Sequence, residues 1–325
     1  MTVTQLTIQT ATAPLPGNLD PVVPVVVPTL VEEPWKRSFF YCAPGEIPTL
    51  LWVIGIHLVT VVGLILLPFP GWSVVGIALA LLWLGGLGTT VAYHRSLSHR
   101  SLALHPVVEH TLIFFAMFNG SGNPLTWVAN HRYHHAHSDS DGDVSSPRQG
   151  FWWSHLRWLW QAPPAPTAKY CHDMRSASYR VWGRLQIAVL ALSLLAGLAF
   201  WPHYGWKVAL AACVWMGAMR CMVALHVQCT INSFCHMGEV SNKGGSELNL
   251  WWLIIPHLGQ GENWHFNHHS NAANPRLGRG MQLDVGWIVI KALSYVGLAT
   301  KIKSTAPRPV PIPIADQATI DSKAS

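Results

Sequence analysis

Eight of the 18 histidines fall into three tight groups. They read His94-Arg95-Ser96-Leu97-Ser98-His99, His131-Arg132-Tyr133-His134-His135 and His265-Phe266-Asn267-His268-His269. Neutral imidazole is the commonest metal-binding side chain and suits iron, copper, zinc and nickel. One such ion takes roughly four to six ligands, so eight grouped imidazoles imply two metal ions side by side. Residues three and four apart share a helix face. Each triplet is therefore expected to aim two or three imidazoles at one spot. His94 and His99 are five apart, about 140° off a common face of an α-helix. The backbone is expected to deviate there. The groups contain no acidic residue, unlike the carboxylate-rich dimetal bundles, and neutral ligands leave more positive charge on the metals.

The elements that must carry these residues are apolar. Half of the 325 residues are hydrophobic and 11% are charged. No Asp, Glu, Lys or Arg occurs from Ile47 to His94. A bilayer core needs about 20 apolar residues per crossing, so this stretch is long enough to cross twice. Pro68-Phe69-Pro70-Gly71 breaks it near the middle. The expected fold is an all-α membrane protein with four crossings in two hairpins, at about 49–67, 73–93, 185–201 and 206–227. A helical cap on the cytoplasmic side would hold the histidine-rich dimetal site. The apolar segments 107–118 and 250–255 are too short to cross.

Basic residues set the orientation. They precede the first crossing (Lys36, Arg37), crowd the 95–184 segment and follow the fourth crossing. Both termini and all three histidine groups are then expected on the cytoplasmic side of a bacterial inner membrane or its equivalent. Residues 1–34 and 304–325 are Pro-rich or polar and read as disordered tails around a domain of residues 35–303. The six cysteines form no C-x-x-C pair and read as reduced, buried hydrophobes. The net charge of +6 forms no basic stripe with interleaved aromatics, so no nucleic-acid partner is expected.

In this order around two hairpins, H-x4-H, H-x2-H-H and H-x2-H-H resemble the membrane-bound fatty acid desaturases. Gly150-Phe151-Trp152-Trp153-Ser154-His155, N-S-x-x-H at 232–236 and G-x-x-W-H-x-N-H-H at 261–269 sharpen the likeness to the delta-9 group. The likeness covers roughly residues 35–303. It implies a di-iron centre held by His94, His99, His131, His134, His135, His265, His268 and His269. It adds His236 as a ninth ligand and Asn232 as the holder of a metal-bound water. It also implies an O2-dependent oxidoreductase that removes two hydrogens from a saturated acyl chain, with two electrons from a separate carrier such as a ferredoxin or a cytochrome b5-type protein. No H-P-G-G of a fused haem domain occurs.

Trp127 resembles a family tryptophan at the bend of the substrate channel; an interface anchor is the alternative reading, of equal weight. Arg220, a charge inside an apolar segment, is costly unless paired, and its spacing from His236 resembles that of a family arginine near the channel. The acyl-CoA enzymes carry Arg-Asp and Arg-Lys pairs on the CoA group. Here those positions read Ala129-Asn130 and Gln161-Ala162, which favours an acyl lipid over acyl-CoA. Two rivals stand beside this reading. One is a di-iron hydroxylase or ketolase of lipid, alkane or carotenoid. The other is a metal transporter, which wants ligands near mid-membrane. His57, His137, His155 and His226 have no assigned role, and His57 is expected to make a helix-packing hydrogen bond.

Overall fold

Proline and glycine cut the apolar stretches into helices. In the computed structural model, which describes residues 34–140, 142–239 and 245–303, α1 spans Ile47–Leu66, with Pro48 in its first turn, where a missing N–H costs nothing. The Pro-Phe-Pro-Gly break follows, and Gly71 takes φ 97° before α2, Trp72–Leu87. The helix continues to Ser98, but in π-helical turns from Gly88. The expected tails lie almost entirely outside the described residues.

A series of shorter helices follows. These are α3 (Pro106–Phe118), α4 (Pro124–His137), α5 (Trp158–Gln161) and α6 (Thr167–Tyr170). Asn123 caps α4 by accepting from Thr126 N at 3.1 Å, a normal use of Asn at this position. Then comes one helical run of 60 residues, Ala177–His236. It comprises α7 (Ala177–Leu195), α8 (Trp201–Cys213) and α9 (Arg220–Ser233), joined by 3-10 and π turns. The run is not straight. Gly205 breaks it at φ 78° and ψ 165°, and its two arms pack together through glycines. A Cβ on Gly197 would sit 2.7 Å from Cys213 Cα, and one on Gly217 2.9 Å from Leu194 Cα. The third expected helix starts earlier than its apolar core, at Ala177, and the fourth runs on past Val227. Two short helices, α10 (His265–Ser270) and α11 (Val285–Tyr295), end the domain. Ala103–Leu104 pairs antiparallel with Ala299–Thr300, tying its end to its middle.

Among the described residues, three helical runs are long and apolar enough to cross a membrane: Ile47–Leu66, Trp72–Ser98 and Ala177–His236. Many of their large apolar side chains, including Leu58, Ile65, Leu66 and Ile187, face outward. A lipid environment would cover them.

The first histidine pair depends on one close approach. A Cβ on Gly88 would strike the Leu112 carbonyl and lie 2.7 Å from Ala116 N, so the second helix and α3 touch backbone to backbone. Overpacking costs about 1–3 kcal/mol where side chains can yield, and here a backbone must move. Gly88→Val is expected to lose folded protein in size-exclusion and thermal-melt assays. Gly183→Ala, with open space around its Cβ, should match the parent.

Candidate metal centre

The π turns explain the H-x4-H spacing. His99 N donates to His94 O at 3.1 Å, the i→i+5 bond that defines a π-helix. Wider turns bring His99 round to the side of His94, and their rings lie 5.0 Å apart. Arg95, which follows His94 and is buried, bonds Asp284 (2.9 Å), Gln260 O (2.7 Å) and Pro275 O (2.9 Å). It thereby ties this segment to the loops before α10 and α11. Arg132 ties α4 to the same place through Leu97 O (2.5 Å), Ser98 O (3.0 Å) and Asp173 (2.6 Å). Asn267 anchors α10 by donating to Leu277 O (2.9 Å) and Gln282 Oε1 (2.8 Å).

Among the described residues, nine imidazoles gather in two groups. His94, His99, His131, His135 and His268 form the first; His134, His236, His265 and His269 form the second. Within each group all candidate ligand nitrogens lie within 4.8 Å of one another. Each triplet aims two imidazoles at one group, as the spacing predicts, and its third at the other. His131 and His135 go to the first group and His134 to the second; His268 goes to the first, and His265 and His269 to the second. Residues four apart on a helix stay together while the intervening one points aside, so each triplet bridges both groups.

Most of the rings are held neutral. Burial, then the neighbouring imidazoles, pushes His131, His135, His265, His268 and His269 well below the usual histidine range, and burial leads for His99 too. His134 moves the other way: burial pulls it down, but the Asp143 carboxylate outweighs that. Neutral imidazoles keep a lone pair for a metal.

Four carboxylates stand behind the rings, and the sequence reading missed them. Glu262 lies 2.7 Å from His94 Nδ1, Asp143 3.1 Å from His134 Nδ1, Asp139 3.1 Å from His236 Nδ1 and Glu247 2.9 Å from His269 Nδ1. A carboxylate on Nδ1–H fixes the tautomer and aims the Nε2 lone pair inward. Burial raises the pKa of Glu262 and of Asp143, but His94 and His134 respectively outweigh it and hold each at about 2. Both stay ionised. The signals available in the chain are the Ser138-Asp139-Ser140-Asp141-Gly142-Asp143 loop after the second motif and Glu262 three residues before His265.

This geometry suits a cation. The Nε2 atoms of His94 and His268 lie 3.0 Å apart, those of His268 and His135 2.9 Å, and those of His236 and His265 2.8 Å. With Nδ1 of His236 hydrogen-bonded to Asp139, its Nε2 presents a lone pair to the interior of the second group. His134 Nε2 and His269 Nε2 are buried without a hydrogen-bond partner, a costly state that metal coordination relieves.

A cavity of about 570 Å³ opens beside both groups, lined by His94, His131, His134 and His265. That volume suits a small-molecule ligand. Asn232 and Trp127 line it, and Trp127 stacks on His131 at 5.0 Å. Arg220 does not line it. This buried guanidinium bonds Asn119, Ser193, Phe118 O (2.9 Å) and Met216 O (2.6 Å), and Asn119 is the residue that reaches the cavity. Among the described residues, no Lys or Arg lines the cavity. Of the histidines left out of the motifs, His257 lines the cavity and bonds Thr230 at 3.0 Å, while His137 turns back to Tyr133 O at 2.9 Å. His57 makes the expected packing bond, with His226 as partner at 2.9 Å.

Comparison with known proteins agrees with this picture. Residues 70–276 match the fatty acid desaturase family. Delta-9 acyl-lipid desaturase 2 of Arabidopsis thaliana is 34% identical over 237 residues, covering 71% of this chain and 75% of that protein. The sn-1 stearoyl-lipid 9-desaturase of Anabaena variabilis is 33% identical over 78% of this chain and 92% of its own. The sn-2 palmitoyl-lipid 9-desaturase of a Nostoc species is 32% identical over 81% and 94% respectively. With helices that suit a bilayer and two imidazole groups beside one cavity, the chain belongs to the fatty acid desaturase family.

Proposed function

We propose that this chain is a delta-9 acyl-lipid desaturase. It would place a cis double bond in a saturated acyl chain esterified to a membrane lipid. The overall change consumes O2, two electrons and two protons and releases two waters. Two iron ions, one per histidine group, would supply the reduction of O2 that removal of unactivated hydrogens requires. The first would be held by His94, His99, His131, His135 and His268, the second by His134, His236, His265 and His269. Asn232 would hold a water at the second.

The remaining work falls to the chain itself. The cavity holds the acyl chain and keeps bulk water away, so position along the chain is set by depth. Trp127 braces His131 and shapes the wall. Arg220 acts at one remove, by fixing Asn119. Two hairpins cross the membrane, with Gly205 at the turn of the second. Four crossings then put both termini and both histidine groups on the cytoplasmic side, as the basic residues ask. Electrons come from a separate ferredoxin or cytochrome b5-type carrier.

The observation that carries the lipid reading is a lining without cationic side chains. Phosphate recognition leans on Arg and Lys, and the described cavity wall offers neither. Where CoA-binding pairs would stand, Ala129 and Gln161 are fully buried, and Gln161 donates to Ser38 O and Phe39 O at 3.0 and 2.8 Å. Expression in a host without unsaturated fatty acids, followed by fatty-acid analysis of each lipid class, tests this. The expected product has lost two hydrogens at the ninth bond of the chain and appears first in intact lipids. A hydroxylated product, or unsaturation confined to the acyl-CoA pool, would refute it.

A further inference from the structure

Three histidines outside both groups form a chain of their own. His57 lies in α1, His226 in α9 and His155 in the π turn Trp153–Arg157. His57 Nδ1 lies 2.6 Å from Val53 O, and His57 Nε2 2.9 Å from His226 Nε2. His226 Nδ1 lies 2.9 Å from His155 Nε2, and His155 Nδ1 3.0 Å from Ser233 Oγ. Every ring nitrogen of the three is used. Burial, then the neighbouring His226, pushes His155 down to about 4, so this ring is neutral.

With one hydrogen per ring, the Val53 carbonyl sets the order. The Val53 carbonyl can only accept, so His57 Nδ1 donates and His57 Nε2 accepts from His226 Nε2–H. His226 Nδ1 then accepts from His155 Nε2–H, and the chain ends at the Ser233 hydroxyl, which lies 3.0 Å from His155 Nδ1 and donates to Cys229 O at 2.8 Å. The bonds from His155 through His226 and His57 to Val53 O run head to tail, the arrangement in which hydrogen bonds reinforce one another. Polar groups buried in an apolar helix bundle are costly unless paired, so the three elements are held in one register.

The register matters because of what lies one step round α9. His226, Cys229 and Ser233 form one stripe, spaced i, i+3, i+7. Leu225, Gln228 and Asn232 form the next stripe and line the cavity. His236 follows Ser233 by three residues and joins the second histidine group. A small rotation of α9 would move Asn232 and His236 together.

We propose that His57, His226 and His155 are a positioning chain that fixes the rotation of α9 and so places Asn232 and His236 at the second histidine group. The proposal rests on the metal-centre reading above. Iron bound per wild-type chain tests that reading, and only the ratio of variant to wild type tests the positioning chain.

The experiment compares His226→Phe, His226→Gln and His57→Phe in the full-length chain. It measures iron per chain, thermal stability, and kcat and KM for the acyl substrate. His226→Phe should lose about half of the bound iron and about tenfold or more in kcat, as expected for loss of an outer partner, with KM changed far less. His226→Gln offers one donor and one acceptor in place of the ring, and should recover most of both. His57→Phe added to His226→Phe should cost nothing further, because the two act as one unit. Wild-type iron and kcat in His226→Phe would overturn the proposal. So would a His226→Gln variant as impaired as His226→Phe at equal stability. Should His226→Phe fail to fold, His57→Phe at the half-buried end carries the same test, and unchanged iron and kcat there would overturn the proposal.

Discussion

Replacing His268 with alanine is expected to abolish unsaturated product and to release iron. This imidazole is buried at 1% exposure, and its Nε2 lies 3.0 Å from His94 Nε2 and 2.9 Å from His135 Nε2. It therefore sits between rings delivered by α4 and by the π turns of the second helix. Removing it leaves four imidazoles in the first group and a gap inside a water-poor site. Loss of an outer hydrogen-bond partner costs about 10–100-fold in metal affinity or activity, and loss of a ligand exceeds that. We expect product to fall more than about 100-fold, with iron per chain dropping from two towards one. His137→Ala is the control: it is two residues from His135 yet turns to Tyr133, and both readouts should stay near wild type. Fatty-acid profiles and elemental analysis of purified protein decide the matter. Undiminished product in His268→Ala would remove the basis of the proposed centre.

The candidate ligands are far more legible in the sequence than their arrangement. The repeated H-x2-H-H spacing picks out the right helix faces, because three and four residues are close to one turn. It cannot say which imidazole joins which group. That depends on the rotation of α4 and α10, set by distant partners such as Leu277 for Asn267 and Asp173 for Arg132. The H-x4-H pair is misaligned on an α-helical period. The π turns that align it begin at Gly88, where the backbone meets α3, a contact that spacing does not reveal. The apolar runs and their Pro and Gly breaks are legible, including the break between residues 201 and 206. His57 and His226 are visible as polar residues in apolar helices. Their pairing across 169 residues is not, since nothing local links them.

The carboxylates behind the rings lead to a second large effect, one that separates the two groups. The chain has only 15 Asp and Glu residues, and four of the described ones face histidine Nδ1 atoms. Asp139 and Asp143 serve His236 and His134, both in the second group. Glu262 serves His94, in the first. An amide in place of the carboxylate keeps the shape but loses the charge that raises the basicity of the imidazole. Asp143→Asn is therefore expected to weaken one iron by about 10–100-fold and leave the other tight. Glu262→Gln should do the same to the opposite iron. Either change should lower product by a similar factor, because the proposed centre uses both ions together. Pairing the substitutions then reads out the grouping. Asp143→Asn with Glu262→Gln strikes both groups, so no tightly held iron should remain. Asp139→Asn with Asp143→Asn strikes the second group twice, so one tight iron should survive. Iron per chain after dialysis against a graded chelator measures this, with a thermal melt of each variant to confirm that it is folded. The Asp143 and Glu262 pair retaining one tight iron, or the Asp139 and Asp143 pair retaining none while still folded, would contradict the division into a five-histidine and a four-histidine group. The sign of the effect follows from the chemistry of the donors. Neutral nitrogens alone leave the positive charge of the metals unbalanced in a buried site, and these carboxylates are the nearest anions that offset it without taking up a ligand position.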